Sequence, residues 1–174
     1  MNDFIGLRVL IVDNNNFIAK TLYSILEAFG VRKITICDTL EEAEKKYYNS
    51  ELDVIFIDFM MENRSGLNFL KTVRASNADK NPSDIPVILN TGVTDIDTII
   101  MARDTGITEI IGKPFSPDQI HQKMHNALFN KREFINVDEY IGPNRRRKQQ
   151  NNPEWDGDNE RRHSAINNNE QAQD

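Results

Sequence analysis

Five short apolar segments, each followed by an amphipathic one, constrain the fold of this chain more than any other feature. They are rich in Val and Ile and lie at residues 7–13, 32–37, 53–58, 86–91 and 107–111. Short apolar runs of this kind are typical of strands that are covered on both faces. The segments between them repeat apolar residues at a period close to 3.6, so we interpret them as helices.

The signals at the predicted helix ends agree with this alternation. Thr39–Glu42 and Ser116–Gln119 have the pattern of capping boxes, and Gly30 stands where the first helix should stop. Strands that alternate with helices through short connections build a parallel sheet with helices on both faces. We therefore predict an α/β fold with a doubly wound, five-stranded parallel sheet in the strand order 2-1-3-4-5.

A change in composition predicts two regions. Residues 1–135 form the predicted folded domain. Residues 136–174 contain few large apolar side chains and many asparagines, so they cannot bury enough apolar surface to offset the entropy lost on ordering. We predict that this tail is mostly disordered, and we leave open local docking of Phe134, Tyr140 or Trp155.

Charge, hydropathy and cysteine content exclude several classes of partner. The formal net charge of -6 argues against a chain that coats nucleic acid through its overall charge. No apolar run approaches the roughly 20 residues that span a bilayer, so we expect no membrane partner. Cys37 has no second cysteine with which to pair, which favours a small buried side chain in a reducing compartment, the cytoplasm.

The ends of the predicted strands carry the groups that indicate a function. Asp13 and Asp58 end the first and third strands, Thr91 ends the fourth, and Lys113 follows the fifth. Ligands of open parallel sheets bind beyond the carboxyl ends of the strands. Two carboxylates, a hydroxyl and an ammonium at one edge favour metal-assisted phosphoryl transfer, with Asp58 as acceptor and Mg²⁺ as the ion.

Four segments in this order resemble the receiver domain of bacterial two-component response regulators, which has a flavodoxin-like fold. They are Val12–Asn14, Asp58–Gly66, Pro86–Gly92 and Lys113–Phe115. The resemblance implies that Asp58 takes a phosphoryl group from a sensor histidine kinase or a histidine phosphotransfer protein.

The resemblance also implies roles for the neighbouring groups. Thr91 and Lys113 would bind the phosphoryl group, and Asp13, Asp58, Asn14 and the backbone carbonyl of Met60 would hold Mg²⁺. Such a protein is not an enzyme apart from its own aspartyl phosphorylation and dephosphorylation. It would act as a stand-alone response regulator that signals to an output protein, which the sequence does not identify.

Three departures from the family pattern motivate an alternative. Asn14 stands where a second acid is usual, so the affinity for Mg²⁺ should be weakened. Ile110 replaces a common aromatic switch residue, and Glu62 replaces a common proline. The alternative is a pseudo-receiver that binds partners without phosphorylation.

Two further motifs each allow two interpretations. Arg145, Arg146 and Arg147 form a basic cluster in the tail, which either is a solvated charge run or binds an anion such as a cyclic dinucleotide. His121 and His125 lie four residues apart, a spacing that suits metal chelation. With no third ligand nearby in the sequence, we favour a half-exposed helix face.

Overall fold

A computed structural model describes residues 4–61, 65–93, 95–137 and 140–144. The main elements alternate strictly along the chain: β1 (Arg8–Val12), α1 (Asn16–Ala28), β2 (Lys33–Cys37), α2 (Leu40–Asn49), β3 (Val54–Asp58), α3 (Leu67–Ala75), β4 (Val87–Thr91), α4 (Ile96–Asp104), β5 (Glu109–Gly112) and α5 (Pro117–Phe129). Two short strands follow, β6 (Phe134–Val137) and β7 (Tyr140–Pro143).

The five-stranded sheet is parallel, with the order β2-β1-β3-β4-β5. The predicted fold class and strand order are therefore confirmed. Alternate residues of each strand enter two separate cores. One core contains Leu10, Ile55 and Leu89 with α2 and α3 residues, and the other contains Ile11, Phe56 and Ile88 with α1 and α5 residues. The central strands β1, β3 and β4 are buried on both faces, which explains why these segments are apolar without alternation.

Local signals in the sequence set most element ends. Ser116 and Gln119 form the complete predicted capping box at α5. At α2 the Thr39 side chain accepts a hydrogen bond from the Glu42 amide. Gly30 has a positive φ of 91° after α1, as its predicted role as a helix stop requires. Cys37 is fully buried, and burial raises the pKa of its thiol to about 12.

The C-terminal strand pair, β6 and β7, crosses the boundary that we predicted at residue 135. The two strands are antiparallel, and the Asn144 amide donates to the Glu133 carbonyl. The described residues of this strand pair reach residue 144. Phe134, whose local docking was left open, lies against the Arg74 guanidinium, and Tyr140 pairs with Val137. Trp155 and the rest of the tail lie outside the described residues. In the part of the chain that the structure describes, no helix is long and apolar enough to cross a membrane.

Candidate phosphoacceptor site

One row of side chains crosses the carboxyl edge of the sheet on the face covered by α1 and α5. Asp58 pairs with Asn90 across β3 and β4, and Asn90 pairs with Ile111 across β4 and β5. Continuing the register of β1 and β3 by one residue places Asp13 level with Asp58. The parallel sheet therefore brings together two carboxylates that are 45 positions apart in the sequence numbering.

The ammonium of Lys113 bridges these carboxylates. Its Nζ lies 2.9 Å from Asp13 Oδ2 and 3.0 Å from Asp58 Oδ1. Asp13 and Asp58 are only 2% and 6% exposed, so the three charges interact in a largely dehydrated site. Lys113 is directed there by its backbone, because its amide donates to the Thr91 carbonyl at the end of β4 and its peptide bond to Pro114 is cis.

Burial raises the pKa of Asp58 above the usual value of an aspartate. The hydrogen bond and charge of Lys113 oppose this shift, and the neighbouring charge of Asp13 reinforces it. The Met60 backbone amide also favours the ionised form. The Lys113 ammonium thus favours the ionised form of a carboxyl group that burial disfavours.

Two loops shape the entrance to the site. After β1, the Asn15 amide donates to Asp13 Oδ1 at 2.8 Å, and the Asn15 side chain caps α1. After β3, the Gly66 amide donates to the Phe59 carbonyl. A Cβ at residue 66 would lie 2.0 Å from the Asp58 carbonyl oxygen, so only glycine allows the loop to return this closely beside the acceptor.

The hydroxyl of Thr91 is engaged away from the carboxylates. It donates to the Val93 carbonyl and accepts from the Val93 amide, both at 2.9 Å. Thr91 is also fully buried. The predicted contact of Thr91 with a phosphoryl group would therefore require its hydroxyl to leave Val93.

Comparison with known proteins identifies the family of this chain. A model of the response regulator receiver domain matches residues 9–125. The chain belongs to the response regulator receiver family. Chemotaxis protein CheY1 of Helicobacter pylori is 28% identical over 123 residues, which cover 70% of this chain and 97% of that protein. The crystal structure of chemotaxis protein CheY4 of Vibrio cholerae matches with a TM-score of 0.63 at 25% identity, covering 70% of this chain and 98% of that one.

Another relative of this receiver domain is much longer than the match. The protein named "Probable transcriptional regulator ycf27" of Cyanidium caldarium is 31% identical over 121 residues, which cover 70% of this chain but 46% of that protein. This chain thus spans about half the length of the first curated relatives it matches. Receiver domains are signalling modules of two-component systems rather than enzymes that act on other substrates, and they typically bind Mg²⁺.

The donor set of this receiver domain fits Mg²⁺, with one charge fewer than a three-acid site. Asp13 and Asp58 supply two buried carboxylates, and oxygen ligands of this kind are what Mg²⁺ prefers. Asn14 is exposed beside them and lines a groove of about 260 Å³ together with Asp38 and Glu42. Within the described residues no three His, Cys, Asp or Glu side chains cluster closely enough to hold a metal ion by themselves.

Other predicted residues lie elsewhere or outside the described ranges. Ile110 packs against the core on the α2 and α3 side. His121 packs against the rings of Phe4 and Phe29, which favours the structural reading of this histidine. Arg145, Arg146 and Arg147, together with Glu62, lie outside the described residues, so their predicted roles stay predictions.

The sequence reasoning missed Asn90. This residue is 1% exposed and occupies the site row directly beside Asp58. Its Oδ1 is the buried side-chain atom without a hydrogen-bond partner in the part of the chain that the structure describes. The available signal was an amide side chain directly after the apolar run Val87–Leu89 and still within the strand, because strands buried on both faces rarely contain one.

Proposed function

We propose that this chain is a response regulator that accepts a phosphoryl group on Asp58 from a phosphohistidine. The donor would be a sensor histidine kinase or a histidine phosphotransfer protein of the cytoplasm. The observation that carries the proposal is the buried contact of one ammonium, that of Lys113, with two carboxylates of the sheet edge. Membership of the receiver family supports the same assignment.

In the proposed step an Asp58 carboxylate oxygen attacks the phosphorus atom of the donor. A P–O bond forms to Asp58, the P–N bond breaks, and the imidazole leaves with the electron pair. The protein contributes position and charge rather than covalent chemistry. Lys113 would follow the transferred group and offset part of its negative charge, while the Asn15 amide keeps Asp13 in place.

Asp13, Asp58, the amide oxygen of Asn14 and the Met60 carbonyl would hold Mg²⁺. When bound, the ion neutralises negative charge on the phosphoryl oxygens. Asn14 brings no charge to this set, so we expect binding to be weaker than with an acid at position 14. Asp38 and Glu42 add negative charge along the same groove.

Phosphorylation would then change which protein binds. It adds about two negative charges to Asp58, at an edge that already contains Asp13. The surface of α4, β5 and α5 would transmit the change to an output protein. The receiver resembles both a single-domain chemotaxis protein and the receiver portion of a longer regulator, so its predicted stand-alone action stays a prediction.

The decisive experiment is phosphorylation by a small phosphodonor, acetyl phosphate, across a Mg²⁺ titration, read by intact mass. We expect a Mg²⁺-dependent gain of one phosphoryl group that is absent from the Asp58→Asn variant. Asn14→Asp is the matched variant for the metal, and it should lower the half-saturating Mg²⁺ concentration. No modification at saturating Mg²⁺ would reject the proposal and favour a pseudo-receiver.

A tail-mediated function would be independent of this chemistry. Calorimetry of the full chain with a cyclic dinucleotide, compared with a chain ending at residue 144, tests the predicted anion binding by Arg145, Arg146 and Arg147. Ending at residue 144 keeps the C-terminal strand pair. Equal affinities would reject a role of the tail.

A further inference from the structure

We propose that Asn90 is a positioning residue for Lys113, and that its side-chain oxygen accepts an N–H of the ammonium when Lys113 leaves the Asp58 carboxylate. This inference rests on the proposed function of Asp58. It assigns to Asn90 the role of holding the lysine during transfer. Neither the sequence motifs nor the family match gives Asn90 a role.

The strand order places Asn90 on the path of Lys113. Lys113 follows β5, whereas Asp58 ends β3, and β4 lies between these two strands. The Lys113 side chain must therefore cross the end of β4 to reach Asp58 at 3.0 Å. On the crossed face, the β4 residue level with Asp58 is Asn90.

The unpaired oxygen of Asn90 is unusual for a buried residue. Leaving such an acceptor without a donor is unfavourable, and most buried polar atoms in proteins are paired. Asn81 provides the contrast within this chain. It is equally buried, yet its Oδ1 accepts from the Leu52 amide and its Nδ2 donates to the Tyr47 and Ser50 carbonyls. The side-chain oxygen of Asn81 thus has a donor, whereas that of Asn90 has none among the described residues.

The hydrogen-bonding capacity of Lys113 complements this acceptor. An ammonium has three N–H donors, and within the described residues Lys113 Nζ contacts two acceptors, Asp13 Oδ2 and Asp58 Oδ1. Phosphorylation turns one Asp58 oxygen into the bridging oxygen of an acyl phosphate, and the ammonium follows the negative charge of the phosphoryl group with part of its donors. The N–H that has lost its Asp58 carboxylate acceptor then needs another acceptor, and the Asn90 oxygen meets that need.

The kinetic test compares variants of similar volume. Asn90→Leu removes the acceptor and should slow phosphorylation by acetyl phosphate about tenfold at saturating Mg²⁺, the effect of one lost hydrogen bond on a rate. The half-saturating Mg²⁺ concentration should not change, which separates lysine positioning from metal binding. The matched pair Asn90→Thr and Asn90→Val differs by one acceptor oxygen, and the Thr variant should be the faster. Wild-type rates in Asn90→Leu would overturn the proposal.

A second measurement does not depend on phosphorylation. In the Asp58→Asn protein, urea unfolding of Asn90→Leu, Lys113→Met and the double variant forms a double-mutant cycle. We expect the unfolding constant of the double variant to differ about fivefold from the value calculated for independent effects of the two single substitutions. Additive effects would overturn the proposal. If the wild-type protein takes up no phosphoryl group, the proposed function fails, whereas the cycle still decides whether Asn90 supports Lys113.

Discussion

A largely buried cation lies at each end of the sheet, and the two cations are stabilised by different kinds of partner. At the amino ends of β4 and β5, the Arg74 guanidinium donates to the carbonyls of Gly106, Ser83 and Ile85 and to the Thr108 hydroxyl. At the carboxyl ends, the Lys113 ammonium lies between two carboxylates. One end pairs its cation with uncharged dipoles, and the other pairs it with two carboxylates.

The C-terminal strand pair covers the first of these ends. The Phe134 ring lies 5.4 Å from the Arg74 guanidinium, and a Cβ at Gly106 would lie 2.3 Å from the Ile141 carbonyl oxygen. Burial lowers the pKa of Arg74 to about 10, a value that still leaves the side chain charged at neutral pH. At this end the strand pair covers the Arg74 guanidinium, whose N–H groups are hydrogen-bonded.

The two ends of the sheet separate residues that stabilise the fold from residues of the proposed phosphoacceptor site. Arg74 and Asn81 satisfy backbone groups at the end of the sheet opposite Asp58. Asp58 and Asn90 are buried at an energetic cost, Asp58 through desolvation and Asn90 through its unpaired oxygen. Local violations of the rules of stability are expected at functional sites. Substitutions at the amino ends of the strands should therefore lower the free energy of unfolding, whereas substitutions of Asp58 or Asn90 should leave it unchanged or raise it.

The largest effect is expected for Arg74→Leu. The variant removes the Arg74 donor from three backbone carbonyls, two of them in buried hydrogen bonds, so the free energy of unfolding should fall by about 3–5 kcal/mol. Urea unfolding measures the change. Phosphorylation of Asp58 at low temperature should be retained where the variant remains folded, because Arg74 lies at the opposite end of the sheet. A loss below about 1 kcal/mol would contradict the role assigned to this end.

Asn81→Leu and Asn90→Leu should change stability in opposite directions. Asn81→Leu removes three hydrogen bonds and leaves buried partners unpaired, which should cost about 2–3 kcal/mol. Asn90→Leu removes an unpaired oxygen and should be neutral or stabilising. Thermal unfolding of both variants side by side checks the contrast, and equal losses would refute it.

Asp58→Asn should raise the free energy of unfolding at neutral pH by about 1 kcal/mol, because it replaces a carboxylate whose burial is unfavourable with a neutral amide. Because the folded pKa of Asp58 is raised, the folded protein binds this proton more tightly than the unfolded chain does. Stability from this group is therefore fully present below the usual aspartate pKa of 3.8 and falls as the pH rises through the folded pKa. The advantage of the variant should disappear in acid. Melting temperatures from pH 3 to pH 8, a range of about five units, test this linkage without added Mg²⁺.

The smallest effect is expected for Phe134→Leu. The variant keeps an apolar cover but removes the aromatic face above Arg74, which should cost about 0.5–1 kcal/mol. Arg74→Leu and Phe134→Leu together form a double-mutant cycle, and urea unfolding should show that the second change costs less once Arg74 is absent. Strict additivity would show that the ring and the guanidinium do not interact.

Much of the fold was predictable because its signals are local. The five strands and five helices follow from periodicity and capping residues, although the fifth strand begins at Glu109 rather than at Ile107. Thr108 instead uses its hydroxyl to accept from the Val87 amide. Most of the C-terminal strand pair fell within the predicted tail, because its few apolar side chains gave no sign of the surface that would cover them.

The sequence by itself determined the alternation of strands and helices, and it determined which carboxylates, hydroxyl and ammonium end the strands. Only the tertiary structure decided that Lys113 contacts both Asp13 and Asp58, that Thr91 is held by Val93, and that Asn90 Oδ1 has no hydrogen-bond partner among the described residues. The physical reason is that strand identity depends on neighbours a few residues away. Hydrogen-bond satisfaction depends on side chains brought together from different strands, whose distances no local pattern encodes.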